Sequence, residues 1–325
     1  MIDLLKIVLG AVSTKDIVPV LNNFCLYRSL FNQKGRIQGS DGTLYIDAPF
    51  DHPINECTVK ADKFIRAIEA CDGAPDFGIT ETGRLSIKNG RFKAYLPTLP
   101  ATDYPIASQE GEVVSLPPNF VEIITRIKPF ISLDASRVWS TSLLFLDGYV
   151  YATNNIIIAR IPCELNSENH PFGISLPAST IDRILDIKQN PSLCYVADNS
   201  VTFEYGPVWM RSQLTSEQWP AIAPMFKDFA VSIAIPADLK DAVEKVKFFC
   251  VNEKFPVIKL GTSVSTGTGD QGASVDGFDL PESSFHGDQL SRVLEIATHA
   301  DFSTYPKPCP FKGPGIEGLI VGIKT

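Results

Sequence analysis

Thiols, paired carboxylates and glycine-rich loops are the residues of this 325-residue chain that could do chemistry. The seven cysteines, Cys25, Cys57, Cys71, Cys163, Cys194, Cys250 and Cys309, form no CxxC pair and no regular framework. Isolated thiols in odd number suit a reducing compartment, where a buried cysteine acts as a small hydrophobe. The four histidines are scattered too, so no metal site is expected. "GTGDQG" at 267–272 is a literal G-x-G-x-x-G, but a dinucleotide site needs it between a strand and a helix. Here "ASVDGFDL" follows, which is strand-like, so a surface loop is predicted. "GLIVGIKT" at 318–325 lacks the spacing of a phosphate loop and reads as a final strand. The pairs Asp238/Asp241 and Asp182/Asp186 fall on charged helix faces, where solvation explains them. No serine, histidine and carboxylate set presents itself. The sequence therefore nominates no catalytic residue and no cofactor, and a non-enzyme is expected.

The elements that would position any site repeat along the chain. Helical periodicity covers 3–12, 61–71, 117–131, 177–188, 236–249 and 286–297, with starts roughly sixty residues apart. Pro117, Pro177 and Pro236 are predicted in first helical turns, where a missing N–H costs nothing. Between the helices lie short strands, with Asp41-Gly42, Asn89-Gly90 and Asp147-Gly148 placed for tight hairpins. Each repeat is one helix plus several antiparallel strands, and a helix buries only one face on such a sheet. Paired repeats predict an α+β protein of three similar domains, 1–108, 109–228 and 229–325. Such a tandem points to an architectural protein.

Composition sets outer limits. Hydrophobic residues make up 44% and charged residues 20%, and no apolar run approaches eighteen residues. Asp3 and Lys6 come too early for a signal peptide, so a cytoplasmic protein with no membrane partner is expected. The net charge of −8 argues against indiscriminate nucleic-acid binding, yet positive charge can gather on one surface. The six helical segments hold equal numbers of basic and acidic residues, leaving the acidic excess elsewhere. Lys63, Arg66, Arg126, Lys240 and Lys247 lie off the apolar faces that dock on the sheets. Met225 and Phe226 are two large apolar groups in an expected linker, which calls for a partner.

The layout and several segments resemble the bacterial and phage DNA polymerase III beta subunit, the DNA sliding clamp family. "AYLPTLPATDYP" (94–105) and "VWMRSQLTSEQWPAI" (208–222) look like the closes of its first and second domains. "VNEKFPVIKL" (251–260) matches a segment of the third, and "YVYATNNIIIARI" (149–161) occupies the place of the family's Ala-Thr-Asp-Gly segment. Asn154-Asn155 replaces Asp-Gly there, the chain is shorter, and the tail lacks the methionine-rich ending. The resemblance implies a DNA-clamp fold, a ring of two head-to-tail chains around duplex DNA, and no catalysis. It also implies a pore lined by the helices' polar faces, which adds Lys6, Lys15, Lys128, Arg183, Lys188 and Arg292 to the DNA-contacting set. Contact there would be with phosphates and independent of sequence. A cleft for peptides of polymerase and clamp-loader subunits would be walled by Leu144, Thr153, Ile156, Ile158, Met225, Phe226, Ile320 and Ile323. The reading from another class is a non-catalytic β-rich scaffold that binds proteins only.

Overall fold

The computed structural model describes all residues except 16, 30–32, 55, 166–169, 171, 228, 251–255, 267–271 and 325. All of the "GTGDQG" loop but its last glycine, and the start of "VNEKFPVIKL", therefore lie outside the described residues. Six α-helices appear among the described residues, each within a few residues of its expected position. They are α1 (Ile2–Leu9), α2 (Ala61–Glu69), α3 (Phe120–Ile127), α4 (Ala178–Ile187), α5 (Leu239–Lys247) and α6 (Gly287–Ile296). Pro177 ends the strand that runs directly into α4. Pro117 and Pro236 stand one turn ahead of α3 and α5, where their carbonyls accept from Phe120 N (3.0 Å) and Leu239 N (3.1 Å). A residue followed by proline is pushed out of the α region, so Pro117 before Pro118 cannot be helical. These prolines close the turn that feeds a helix instead of occupying it.

The three expected hairpins form. Gly42, Gly90 and Gly148 all take positive φ (96°, 55° and 76°), and Asp147 joins Gly148 at 51°. The strands they connect pair antiparallel: Ser40 opposite Tyr45, Asn89 opposite Phe92, Leu146 opposite Tyr149. Positive φ at both turn residues gives the twist that matches the flanking strands at 147–148.

The chain divides into two compact units. One comprises Met1–Val121 with Ser179–Leu214, the other Glu122–Ala178 with Thr215–Thr325. The first holds a nine-stranded sheet in which the Leu44–Pro49 strand pairs with Val208–Gln213, Ile46 opposite Met210. It also holds a three-stranded sheet from 76 to 96. Hydrogen-bonded sheet thus crosses the expected boundary between residues 108 and 109. The second unit holds a seven-stranded and a four-stranded sheet. In the larger, Ile157–Pro162 pairs with Ile316–Ile320, Ile157 opposite Ile320.

Each helix lays its apolar face inward. In α2, Ala61, Phe64, Ile65, Ala67 and Ile68 are buried, and the Phe64 ring meets Phe24, Phe50 and Phe77 at centroid distances of 5.7 to 6.2 Å. Full burial of one such side chain contributes roughly 1.5–3 kcal/mol. Helix α1 approaches its sheet so closely that a Cβ on Gly39 would lie 2.5 Å from the Val8 carbonyl oxygen. In the second unit, Leu239, Val243 and Val246 of α5 and Leu290, Val293 and Leu294 of α6 are buried. Six cysteines are buried and Cys71 is half-buried, and burial pushes the Cys57 thiol up to about 11. They behave as packing groups, not nucleophiles.

One polar network interrupts the core of the first unit. Asp47 is fully buried and accepts from the Tyr27 hydroxyl, Arg36 Nε and Gln38 Nε2. Burial pushes its carboxyl up from the ordinary range, while Arg36 and the other two donors pull it back. Arg36 Nη2 also donates to the Pro207 carbonyl at 3.1 Å, beside the strand that pairs with Asp47's own. Removing one partner leaves the other charge in a site with little water. Asp47→Ala is expected to lower unfolding free energy by about 3 kcal/mol, read from the urea midpoint; an unchanged midpoint would remove the network from the account.

Candidate functional site

The first candidate surface is the polar side of the helices. In the first unit Lys6, Lys15, Lys63, Arg66 and Lys188 are exposed and Arg183 is half-buried. Lys6 pairs with Glu69 at 3.5 Å, Lys63 with Asp62 at 3.9 Å, and Arg183 with Asp186 at 2.7 Å. A polar groove of about 330 Å³ brings Lys15 and Arg183 together with the hydroxyl residues Ser13, Thr14, Thr43 and Ser179. Asp41 and Asp182 line it too, so its charge is mixed. Among the described residues the side chains of Arg66 and Lys188 make no hydrogen bond or ion pair.

In the second unit Lys240 and Arg292 are exposed, while Arg126, Lys128 and Lys247 are half-buried. Arg292 Nη1 donates to the Pro129 carbonyl at 2.9 Å and Arg126 Nη2 to that of Pro314. Lys247 meets Glu244 at 3.2 Å, Asp288 at 3.6 Å and Ser291 Oγ at 3.1 Å. The Ser291 hydroxyl and Lys247 hold the Glu244 carboxyl below its usual range. Exposed ion pairs of this kind contribute about 0.2–1 kcal/mol each, so an arriving phosphate can exchange with them at little cost.

The second candidate surface is an apolar cavity of about 180 Å³ inside the second unit. Of the residues expected to wall a cleft, Thr153, Ile156, Ile158 and Met225 line it. Leu144 and Phe226 are buried behind it in a cluster with Tyr151, Trp219 and Ile222. Ile320 is fully buried and does not line the cavity. Strand alternation presents Leu319 and Val321 there in its place. Ile323 lies beyond the strand, its N–H donating to Ser284 O (2.7 Å) and its carbonyl accepting from the Tyr305 hydroxyl (2.6 Å).

Sequence reading missed Trp139, Pro220 and Pro308, which also line the cavity. Trp139 stands edge-on to Trp219 at 5.1 Å, and Trp219 Nε1 donates to Ser142 Oγ at 3.1 Å. A tryptophan beside Val138 in the mostly polar run "SRVWSTS" was the available signal. A wider concavity of about 950 Å³, bordered by Arg28, Asp51, His52 and Asp76, mixes both signs of charge and singles out no ligand. Among the described residues, no group of three or more His, Cys, Asp or Glu is placed to hold a metal ion. No described helix is long and apolar enough to cross a membrane.

The Asn154-Asn155 pair builds the cavity's turn. Asn154 Oδ1 accepts from Ile156 N (3.1 Å) and Ile157 N (2.8 Å), and its Nδ2 donates to Gln289 Oε1 on α6 (2.6 Å). Asn155 takes φ +71°, a conformation that asparagine tolerates better than most residues. Its Oδ1 accepts from Arg137 Nη1 at 2.9 Å. The two asparagines thus supply the left-handed residue and the turn cap, and their amides tie the turn to its surroundings.

The linker wall is held from beneath by Arg160. Its guanidinium lies 4.3 Å from the Tyr149 ring centroid and 4.2 Å from that of Phe226, and Nε and Nη2 both donate to Glu317 Oε2 (3.0 and 2.8 Å). Burial works against the charge, but Glu317 and Tyr151 outweigh it and raise the Arg160 pKa.

No protein-family model matches the chain. By sequence it is similar to the beta sliding clamp of Caulobacter vibrioides, 22% identical over 285 residues that cover 77% of this chain and 73% of that protein. By structure it is similar to the DNA polymerase sliding clamp of Bacillus subtilis, with a TM-score of 0.83 at 17% identity over 100% of this chain and 97% of the other. The clamp of Caulobacter crescentus gives 0.83 at 18% identity over the same shares. The protein therefore has the sliding-clamp fold, an α+β architecture with six helices on antiparallel sheets among the described residues. In sequence and in fold it is thus similar to bacterial beta sliding clamps.

The Asn154 turn carries a direct test. Asn154→Ala removes two acceptor contacts and one donor contact and is expected to cost about 1–2 kcal/mol in chemical unfolding. Asn154→Asp keeps both acceptor contacts and should cost less than half as much; equal losses would mean that the Gln289 contact dominates.

Proposed function

We propose that this chain is a DNA sliding clamp, a ring that encircles duplex DNA and tethers a replicative polymerase. The observation that carries the reading is the coverage of the likeness: one superposition spans 100% of this chain and 97% of the Bacillus subtilis clamp. The activity is topological and non-catalytic, and it takes place in the cytoplasm. A closed ring cannot leave circular DNA, so each phosphate contact can be weak. Three domains per chain, 1–108, 109–228 and 229–325, make two head-to-tail chains the natural closure. The basic residues of the helix faces supply the sequence-independent contacts, namely Lys6, Lys15, Lys63, Arg66, Lys188 and Arg183 with Arg126, Lys128, Lys240, Lys247 and Arg292.

The apolar cavity is the docking site for short peptides of polymerase and loader subunits. Its size admits few side chains, so affinity depends on one or two large apolar anchors in a preformed pocket.

Two measurements follow. Light scattering at micromolar concentration should give the mass of a homodimer, and a monomer throughout would count against a self-closing ring. Each lost phosphate contact changes the slope of log affinity against log salt by about 0.9. Neutralising Lys63, Arg66 and Lys240 together should flatten that slope while the fold survives; an unchanged slope would return these residues to ordinary solvated surface.

A further inference from the structure

We infer that Arg160 is the positioning residue of the peptide cleft: it grips Phe226 and thereby sets Met225 at the cavity's edge. This rests on the reading of the cavity as a peptide site. Met225 and Phe226 are neighbours in a single 3-10 turn, Ala223–Phe226, yet their environments are opposite. Phe226 is 6% exposed and Met225 is 44% exposed. In so short a turn, fixing one side chain fixes the direction of the next, because the turn rotates as a unit. Pro224 and the Met225 N–H bond to the Ile222 carbonyl (3.0 Å) keep it closed.

What fixes Phe226 is a planar cation. The Arg160 guanidinium lies over both the Tyr149 and the Phe226 ring, with Phe229 further out at 6.0 Å. Its Nε and Nη2 donate to Glu317, which sits directly across the strand pair, and Tyr151 is a further hydrogen-bond partner. Glu317 thus holds the guanidinium where it meets the rings. A lysine could keep the charge but has neither the plane nor the fork. Ring–cation contacts of this kind are worth more where water is excluded, and the Arg160 side chain is 14% exposed.

Methyl NMR reads the position of Met225 without any ligand, because the chain has only three methionines. In the wild type the Met225 methyl should give a shifted resonance, and in Arg160→Leu or Arg160→Lys it should move to the position of a free side chain. The paired measurement uses a short fluorescein-labelled peptide whose only large side chains are one leucine and one phenylalanine. Arg160→Leu should weaken its binding about tenfold, the scale of two ring–cation contacts, and Arg160→Lys should not restore it. In a Met225→Ala background the Arg160 effect should shrink to about twofold or less, which a general loss of stability would not produce. An unmoved methyl resonance in Arg160→Leu, or losses that multiply in the double variant, would overturn the assignment. A methyl that moves while the wild type ignores the peptide would support the role of Arg160 and reject the peptide site.

Discussion

A helix laid on an antiparallel sheet can bury one face and must leave the other in water. Everything else in this protein follows from meeting that condition six times. The buried faces carry residues such as Phe64, Ile181, Val243 and Leu290, and they determine where each helix sits. The opposite faces are free to carry charge, and they carry both signs. Lys6 with Glu69, Arg183 with Asp186 and Lys247 with Glu244 hold one another in weak pairs. Such a surface does not need a positive protein. It needs cations whose present partners are easily exchanged, which is compatible with a net charge of −8.

The sheets impose the complementary condition. Side chains alternate along a strand, so one face of Ile316–Ile320 enters the core and the other meets whatever lies outside. In the second unit, Ile158 and Leu319 are directly opposite each other, as are Arg160 and Glu317 two positions along. The same parity that gives the cavity its apolar wall therefore also places the guanidinium under the linker. Cavity and support are one face of one strand pair. Phe226 closes the arrangement because a linker, unlike a strand, can swing a ring over the sheet.

Much of this was legible before any coordinates. Periodicity located all six helices, and the Asp-Gly and Asn-Gly pairs located hairpins, because both signals are local. The proline signal was displaced by one turn at Pro117 and Pro236, since a proline can order the approach to a helix without entering it. The cleft was legible only in part. Thr153, Ile156, Ile158 and Met225 were found, whereas Leu319 and Val321 were passed over for Ile320 and Ile323. Parity counted from the Arg160–Glu317 pair would have found them, but that pairing is not local in sequence. The strand's end at Ile320 was equally hidden. Beyond it Gly322 passes so close to Tyr305 that a Cβ would fall 2.5 Å from the ring. At Asn154-Asn155 the turn is capped by one asparagine, and the other accepts the positive φ.

The central claim is topological, and topology has its own assay. The protein is loaded onto a circular duplex and passed over a gel-filtration column, and the DNA is then cut once with a restriction enzyme. A ring should travel with the intact circle at a salt concentration that abolishes simple electrostatic binding, and should be released when the ends appear. Equal retention on circular and linear DNA, or no retention on the circle, would contradict a clamp and leave a scaffold that binds proteins only.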